Sequence, residues 1–185
     1  MSSTIVSREA ATAAKSKSFL VASDHAAVSA KAVVVDELRA AGFDVRDLGT
    51  TDTSSVDYPD YAEAVARGVA GGEAGQGVLL CGSGIGMSIA ANKVDGIRAA
   101  LVHDVTGAAL ARQHNDANVL VLGGAMIGER LIRDIVKTWI NSRFEGGRHQ
   151  RRIDKIDRIQ LTRGVAAGES TRGDTPTPDS KKETP

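Results

Sequence analysis

Short runs of consecutive apolar residues alternate along the chain with longer segments in which apolar positions recur every three or four residues. The runs SFLVAS, FDVRDL, GVLLCG, IRAALV and NVLVLG predict five strands. A helix-length segment follows each, the one after FDVRDL only beyond a long loop. Residues 78–80 and 119–122 contain no polar side chain, the pattern of a parallel strand covered on both faces. After the first strand, Ala27, Ala30, Val34, Leu38 and Ala41 share one helical stripe and Gly42 supplies its stop. Leu131, Ile132, Ile135, Val136, Trp139 and Ile140 repeat the stripe in the last long helix. The alternation predicts a doubly wound α/β domain: a five-stranded parallel sheet, strand order 2-1-3-4-5 in the flavodoxin-like manner, with helices on both faces.

The ends of the chain break the pattern. Residues 1–17 are polar and alanine-rich, and 163–185 are rich in Gly, Ser, Thr, Pro and charge; both are expected to be disordered around a domain at 18–162. Acidic and basic residues balance at 23 each, so no global field would recruit nucleic acid or a membrane surface. The single cysteine rules out an internal disulfide, and the N-terminal residues lack a signal-peptide core, so the expectation is a cytoplasmic protein.

In an open parallel sheet, ligands bind beyond the carboxyl ends of the strands where the strand order reverses, here between strands one and three. Strand one ends in Ser23-Asp24-His25 and strand three in Cys81-Gly82-Ser83-Gly84-Ile85-Gly86. A carboxylate, an imidazole and a thiol are thus expected to share one crevice. The glycines would let backbone N–H groups turn toward an oxyanion, aided by a helix beginning near Met87. The spacing matches neither the dinucleotide fingerprint nor a P-loop, and alone the loop could be an oxyanion hole or a phosphate cradle.

Each residue also has a plainer reading. Cys81 could be a small buried residue, Asp24 an N-cap, His25 a solvated first-turn residue, and His114 a partner of a helix C-terminus with Asn115 as the turn residue. Asp104 reads as an N-cap. The segment EGGRHQRR packs three arginines and a histidine after a Gly-Gly break, either a solvated face or a phosphate site.

Taken in order, SDHA, DYPDYA, CGSGIGMSIAANK, RQHNDANVL and FEGGRHQRRI resemble the type B ribose-5-phosphate isomerase family, which includes the galactose-6-phosphate isomerases, over about residues 18–160. The resemblance implies interconversion of aldose and ketose phosphates, foremost ribose 5-phosphate and ribulose 5-phosphate of pentose phosphate metabolism. The reaction would run through a cis-enediolate without metal or cofactor. It implies Cys81 as the base moving the proton between C1 and C2; some relatives carry a glutamate where this chain has Met87. Backbone amides of Gly82, Gly84, Ile85 and Gly86 would hold the enediolate oxygen with Ser83 assisting. His114 would open the sugar ring supported by Asp24, His25 and Asn115 would contact substrate, and Arg148, His149 and Arg152 would bind phosphate, some from a partner subunit. A homodimer with shared sites follows, pairing into a homotetramer remaining open.

One position departs from the family pattern: where many relatives have an arginine after strand five, this chain has Ala125. A tetrulose or hexose phosphate is therefore an alternative substrate. A non-catalytic phosphosugar-binding module is a second reading, opposed by the retained Cys81, Ser83 and His114. A thiol redox protein is a third, opposed by the absence of a CxxC pair.

Overall fold

The computed structural model describes residues 17–169. Five parallel strands run β1 (Ser18–Ser23), β2 (Asp44–Asp47), β3 (Gln76–Cys81), β4 (Ala99–Leu101) and β5 (Val119–Gly123). Between and after them lie α1 (Val28–Ala40), preceded by a short 3-10 turn, then α2 (Tyr58–Ala70), α3 (Ile85–Ala91), α4 (Val105–Asn115), α5 (Glu129–Asn141) and α6 (Gln150–Glu169). Helix α6 was not among the elements the hydrophobic pattern predicts, and it runs past residue 162. The expectations for residues 1–16 and 170–185 lie outside the described residues.

The doubly wound α/β class stands as expected, but the strand order is 2-1-3-5-4 rather than 2-1-3-4-5. Burial explains the exchange. All five residues of β5 are buried, so it takes an interior position between β3 and β4, where both faces and both edges are covered. β4 has only Ala99, Ala100 and Leu101, all half-buried, and fits the edge. There the Asn92 side chain bonds both the N–H and the carbonyl of Ala99 at 2.9 Å, helping to blunt the open edge against another strand.

The sheet separates two apolar layers. Phe19, Val21, Val78, Leu80, Leu120 and Leu122 face α1, α4 and α5, while Leu20, Ala22, Leu79, Cys81 and Val121 face α2 and α3. Trp139 of α5 is buried in the first layer, its indole N–H held by Gln76 and its ring covered by the Arg112 guanidinium 5.6 Å from the centroid. The stripe expected on α1 is occupied through Leu38, but Ala41 is exposed as the C-cap residue. Lys31, which no apolar stripe would include, is 3 % exposed. Its ammonium lies 2.7 Å from Asp47 at the end of β2 and donates to the Thr50 carbonyl, a pairing that makes a buried cation tolerable and pins the loop after β2.

Candidate active site

At the carboxyl edge, β1 and β3 are adjacent, so Asp24 and Cys81 meet where the strand order reverses. Asp24 is 6 % exposed; its carboxylate accepts the Ala26 N–H at 3.0 Å, as its cap reading expects, and its own N–H donates to the Leu80 carbonyl. His25, half-buried, is held by the Val56 N–H donating to Nδ1 at 3.2 Å, which leaves Nε2 as the protonated nitrogen of the neutral ring.

The loop after β3 wraps the thiol. The Gly84 N–H donates to the Cys81 sulfur at 3.1 Å, and the Ile85 N–H donates to the Ser83 hydroxyl oxygen at 3.3 Å. An N–H dipole aimed at sulfur stabilises negative charge there once the proton leaves. Gly84 has φ +77°, and a Cβ there would lie 2.5 Å from Leu101 and 3.0 Å from the Leu122 backbone, so only glycine suits the position. Helix α3 begins at Ile85, two residues earlier than expected, and has seven residues. Met87 points into the core, fully buried. Beside this loop the segment after β5 is tied on by Gly124 N–H to the Cys81 carbonyl (2.8 Å) and Ala125 N–H to the Gly82 carbonyl (3.0 Å). Ala125 is exposed, and Met126 next to it is 63 % exposed.

The second group of expected residues is elsewhere. His114 and Asn115 end α4, just before β5 begins at Val119, and the sheet register pairs Gly77 with Val119 and Cys81 with Gly123. They therefore lie toward the amino edge of the sheet, four strand residues, or about 13 Å at ~3.3 Å each, from the level of Cys81. Asp104 caps α4 as expected, accepting the Gly107 N–H at 2.8 Å. The turn residue that closes α4 is Asp116, with φ +42°, rather than Asn115. Asp116 accepts from Arg112 and Arg98, and these bonds hold the otherwise costly left-handed conformation.

The Glu145 N–H donates to the Gln113 carbonyl at 3.0 Å, bringing the EGGRHQRR segment onto the end of α4. There the His149 ring stacks on His114, centroids 4.2 Å apart and planes 6° apart. The Glu145 carboxylate lies 3.9 Å from Nε2 of each. Arg148 and Arg152 are exposed beside them. Within one chain, then, Asp24, His25, Cys81 and the glycine loop form one group, while His114, Asn115, Arg148, His149 and Arg152 form another. The support of His114 by Asp24 cannot come from a single chain. Glu145 and Tyr58 were missed in the sequence: both lie inside motifs noted there, but only the fold places Glu145 between two histidines and the Tyr58 ring against Gly86.

His114, Glu145 and His149 also offer three donor atoms within 4.8 Å of one another, a set that spacing did not reveal. Nearly parallel rings place their lone pairs in separate planes, and Arg148 and Arg152 repel a dication, so the three atoms do not converge on one metal ion. Burial foremost, then the charges of His114, Arg148 and Arg152, hold His149 below the ordinary histidine value of 6.5, with Glu145 opposing. The unfolded chain therefore takes up this proton first as pH falls, and the contribution costs stability below that value while vanishing above it. Urea midpoints at about pH 7.5 and about pH 5.5 should fall further in the wild type than in His149→Phe; equal falls would count against it.

The family model described as Ribose/Galactose Isomerase matches residues 19–156, and the chain belongs to that family. Ribose-5-phosphate isomerase B of Escherichia coli strain K12 is 46 % identical over 140 residues, 76 % of this chain and 94 % of that protein. The structure of Clostridium thermocellum ribose-5-phosphate isomerase B superposes with a TM-score of 0.78 at 44 % identity, covering 79 % of this chain and 99 % of that one. The Mycoplasma genitalium ribose-5-phosphate isomerase B structure with bound ribulose-5-phosphate gives 0.75 at 43 % identity, covering 78 % and 96 %. The protein is a sugar-phosphate isomerase, an enzyme interconverting aldose and ketose phosphates. No helix among the described residues is long and apolar enough to cross a membrane.

Proposed function

We propose that the chain interconverts ribose 5-phosphate and ribulose 5-phosphate without a metal, in a site built from two copies of the chain. The observation that carries the composite site is the separation of Cys81 from His114 to different levels of one sheet. A second subunit, turned so that its His114 end faces the first subunit's Cys81 end, completes the constellation, and two-fold symmetry then forms two such sites at once. His114 opens the furanose ring, with Asn115 holding the chain and Asp24 of the facing subunit supporting it. Cys81 as thiolate takes the proton from C2 of the aldose, leaving a cis-enediolate, and returns it to C1 of the ketose. Gly84 N–H is engaged with the sulfur and Ile85 N–H with Ser83, so the enediolate oxygen falls to the other loop amides, among them those of Gly82 and Gly86. His25 contacts a hydroxyl through its Nε2–H, and Arg148 and Arg152, exposed and fork-shaped, take the phosphate.

A panel of four-, five- and six-carbon sugar phosphates assayed in both directions tests this reading; turnover best on a substrate other than ribose 5-phosphate would reassign the substrate while keeping the class. Ala125 is the position to probe. Its side chain is exposed beside the Gly82 carbonyl, on the same edge as Cys81, at the position where the family resemblance implies an arginine. One charge-assisted hydrogen bond is worth ~1.5–3 kcal/mol, or roughly one to two decades in affinity, too little to end catalysis but enough to change preference. Ala125→Arg is expected to raise kcat/KM for ribose 5-phosphate relative to four- and six-carbon analogues. An unchanged ranking would show that another residue already supplies that anchor.

A further inference from the structure

We infer that His149 is a positioning residue for His114: its buried imidazole, stacked face to face on the His114 ring, sets the plane in which that ring meets the sugar. The inference rests on the reading that His114 opens the ring, and gives His149 a task other than binding phosphate.

The chain around His149 is built to present one flat face. Glu145 N–H on the Gln113 carbonyl fastens the segment to the last turn of α4, one residue from His114. Gly146 and Gly147, at φ +65° and +56°, then reverse its direction in a conformation that favours glycine. His149 N–H donates to the Gly146 carbonyl at 3.0 Å, and the His149 carbonyl accepts from Arg152 and Ile153, so His149 is locked to the first turn of α6. Ile153, 3 % exposed, anchors that turn in the interior. His149 itself is 5 % exposed, whereas the His114 side chain is 35 % exposed. The rings thus divide into an inner one that is held and an outer one that is held by it, and a partly exposed imidazole at a helix end would otherwise sample several rotamers.

The polar atoms agree. His149 Nε2 accepts from Arg148 Nε at 3.4 Å, which places a lone pair there and leaves the ring neutral. The groups facing it are His114 from α4, Glu145 from the connecting segment, and Arg148 and Arg152 from its own segment. A neutral inner ring lies against His114 without like-charge repulsion. A phosphate at the same nitrogen would be buried and would lie near the Glu145 carboxylate, an anion against an anion.

The test contrasts His149→Leu, which fills the space without a flat face, with His149→Phe, which restores one. Both remove the nitrogen atoms, so their difference isolates the ring. In the wild type, the carbon-bound ring protons of His114 should appear upfield in NMR because of the stacked neighbour; the displacement should persist in His149→Phe and vanish in His149→Leu. With ribose 5-phosphate, His149→Leu should lose roughly 10–100-fold in kcat from the misplaced ring, with KM little changed, while His149→Phe keeps most of the turnover. A wild type whose His114 protons show no upfield displacement overturns the inference, as do Leu and Phe variants that behave alike or an effect confined to KM. The NMR measurement needs no substrate, so failure of the assigned activity and failure of the stack are told apart.

Discussion

Cys81→Ser is expected to abolish isomerisation of every sugar phosphate that the wild type turns over, while leaving the protein folded and able to bind. The residue is 5 % exposed at the end of β3 with Gly84 N–H directed at its sulfur. A serine hydroxyl fits that space and keeps the N–H donor occupied, so the loop and the apolar layer beneath it lose little. What changes is basicity. A thiol reaches its anion within a few pH units of neutrality and an alcohol does not, so no group remains at that point to take the C2 proton. Losing a placed general base typically costs 10²–10⁴-fold, and roughly the upper part of that range is expected because a serine hydroxyl cannot take over the proton. Solvent hydrogen exchange at C2, followed by NMR in deuterated water, should disappear with turnover, whereas the thermal midpoint and the affinity for an unreactive phosphosugar should be close to wild type. Retained exchange would move the base to another residue, with Asp24 the first to examine since its buried carboxylate is at the neighbouring strand end.

The second large effect is recovery of activity from two dead proteins. If each site takes Cys81 from one subunit and His114, Arg148 and Arg152 from the other, then a mixed dimer of Cys81→Ser with His114→Ala carries one site with both lesions and one with neither. Statistical mixing should restore about a quarter of wild-type activity, since half the dimers are mixed and half their sites are intact. The same should hold when an Arg148→Ala, Arg152→Ala double variant replaces His114→Ala. Cys81→Ser mixed with Asp24→Asn is the control: both lesions fall in the same half of the site, and no recovery is expected. Activity from that control, or none from the first mixture in dimers shown by mass spectrometry to be mixed, would refute a site shared in this way.

How far these residues could be read from the chain differs from place to place. The crevice residues Asp24 and Cys81 were legible because each follows an apolar run, and in a parallel sheet the residue after such a run lies at the carboxyl edge. The left-handed position at Gly84 was hinted at by a loop of three glycines in five positions. His114 and the arginine segment were noted for their chemistry, but not their distance from Cys81, since linear order says nothing about which end of a sheet a helix terminus reaches until the register is known.

The strand pattern, the helix caps at Asp24 and Asp104, the break at Gly42 and the family were therefore properties of the sequence by itself, because each depends on neighbours within a few residues or on motifs in fixed order. The exchange of β4 and β5 was decided in three dimensions: both are parallel strands, and only competition for the doubly covered interior sends the fully apolar Val119–Gly123 inward and the short alanine strand to the edge. Burial of Lys31 against Asp47 and Thr50, and of His149 beneath His114, belongs to the same category. A charged or ionisable side chain enters the interior only where a partner distant in sequence compensates its lost hydration, and that partner exists only once the chain has folded.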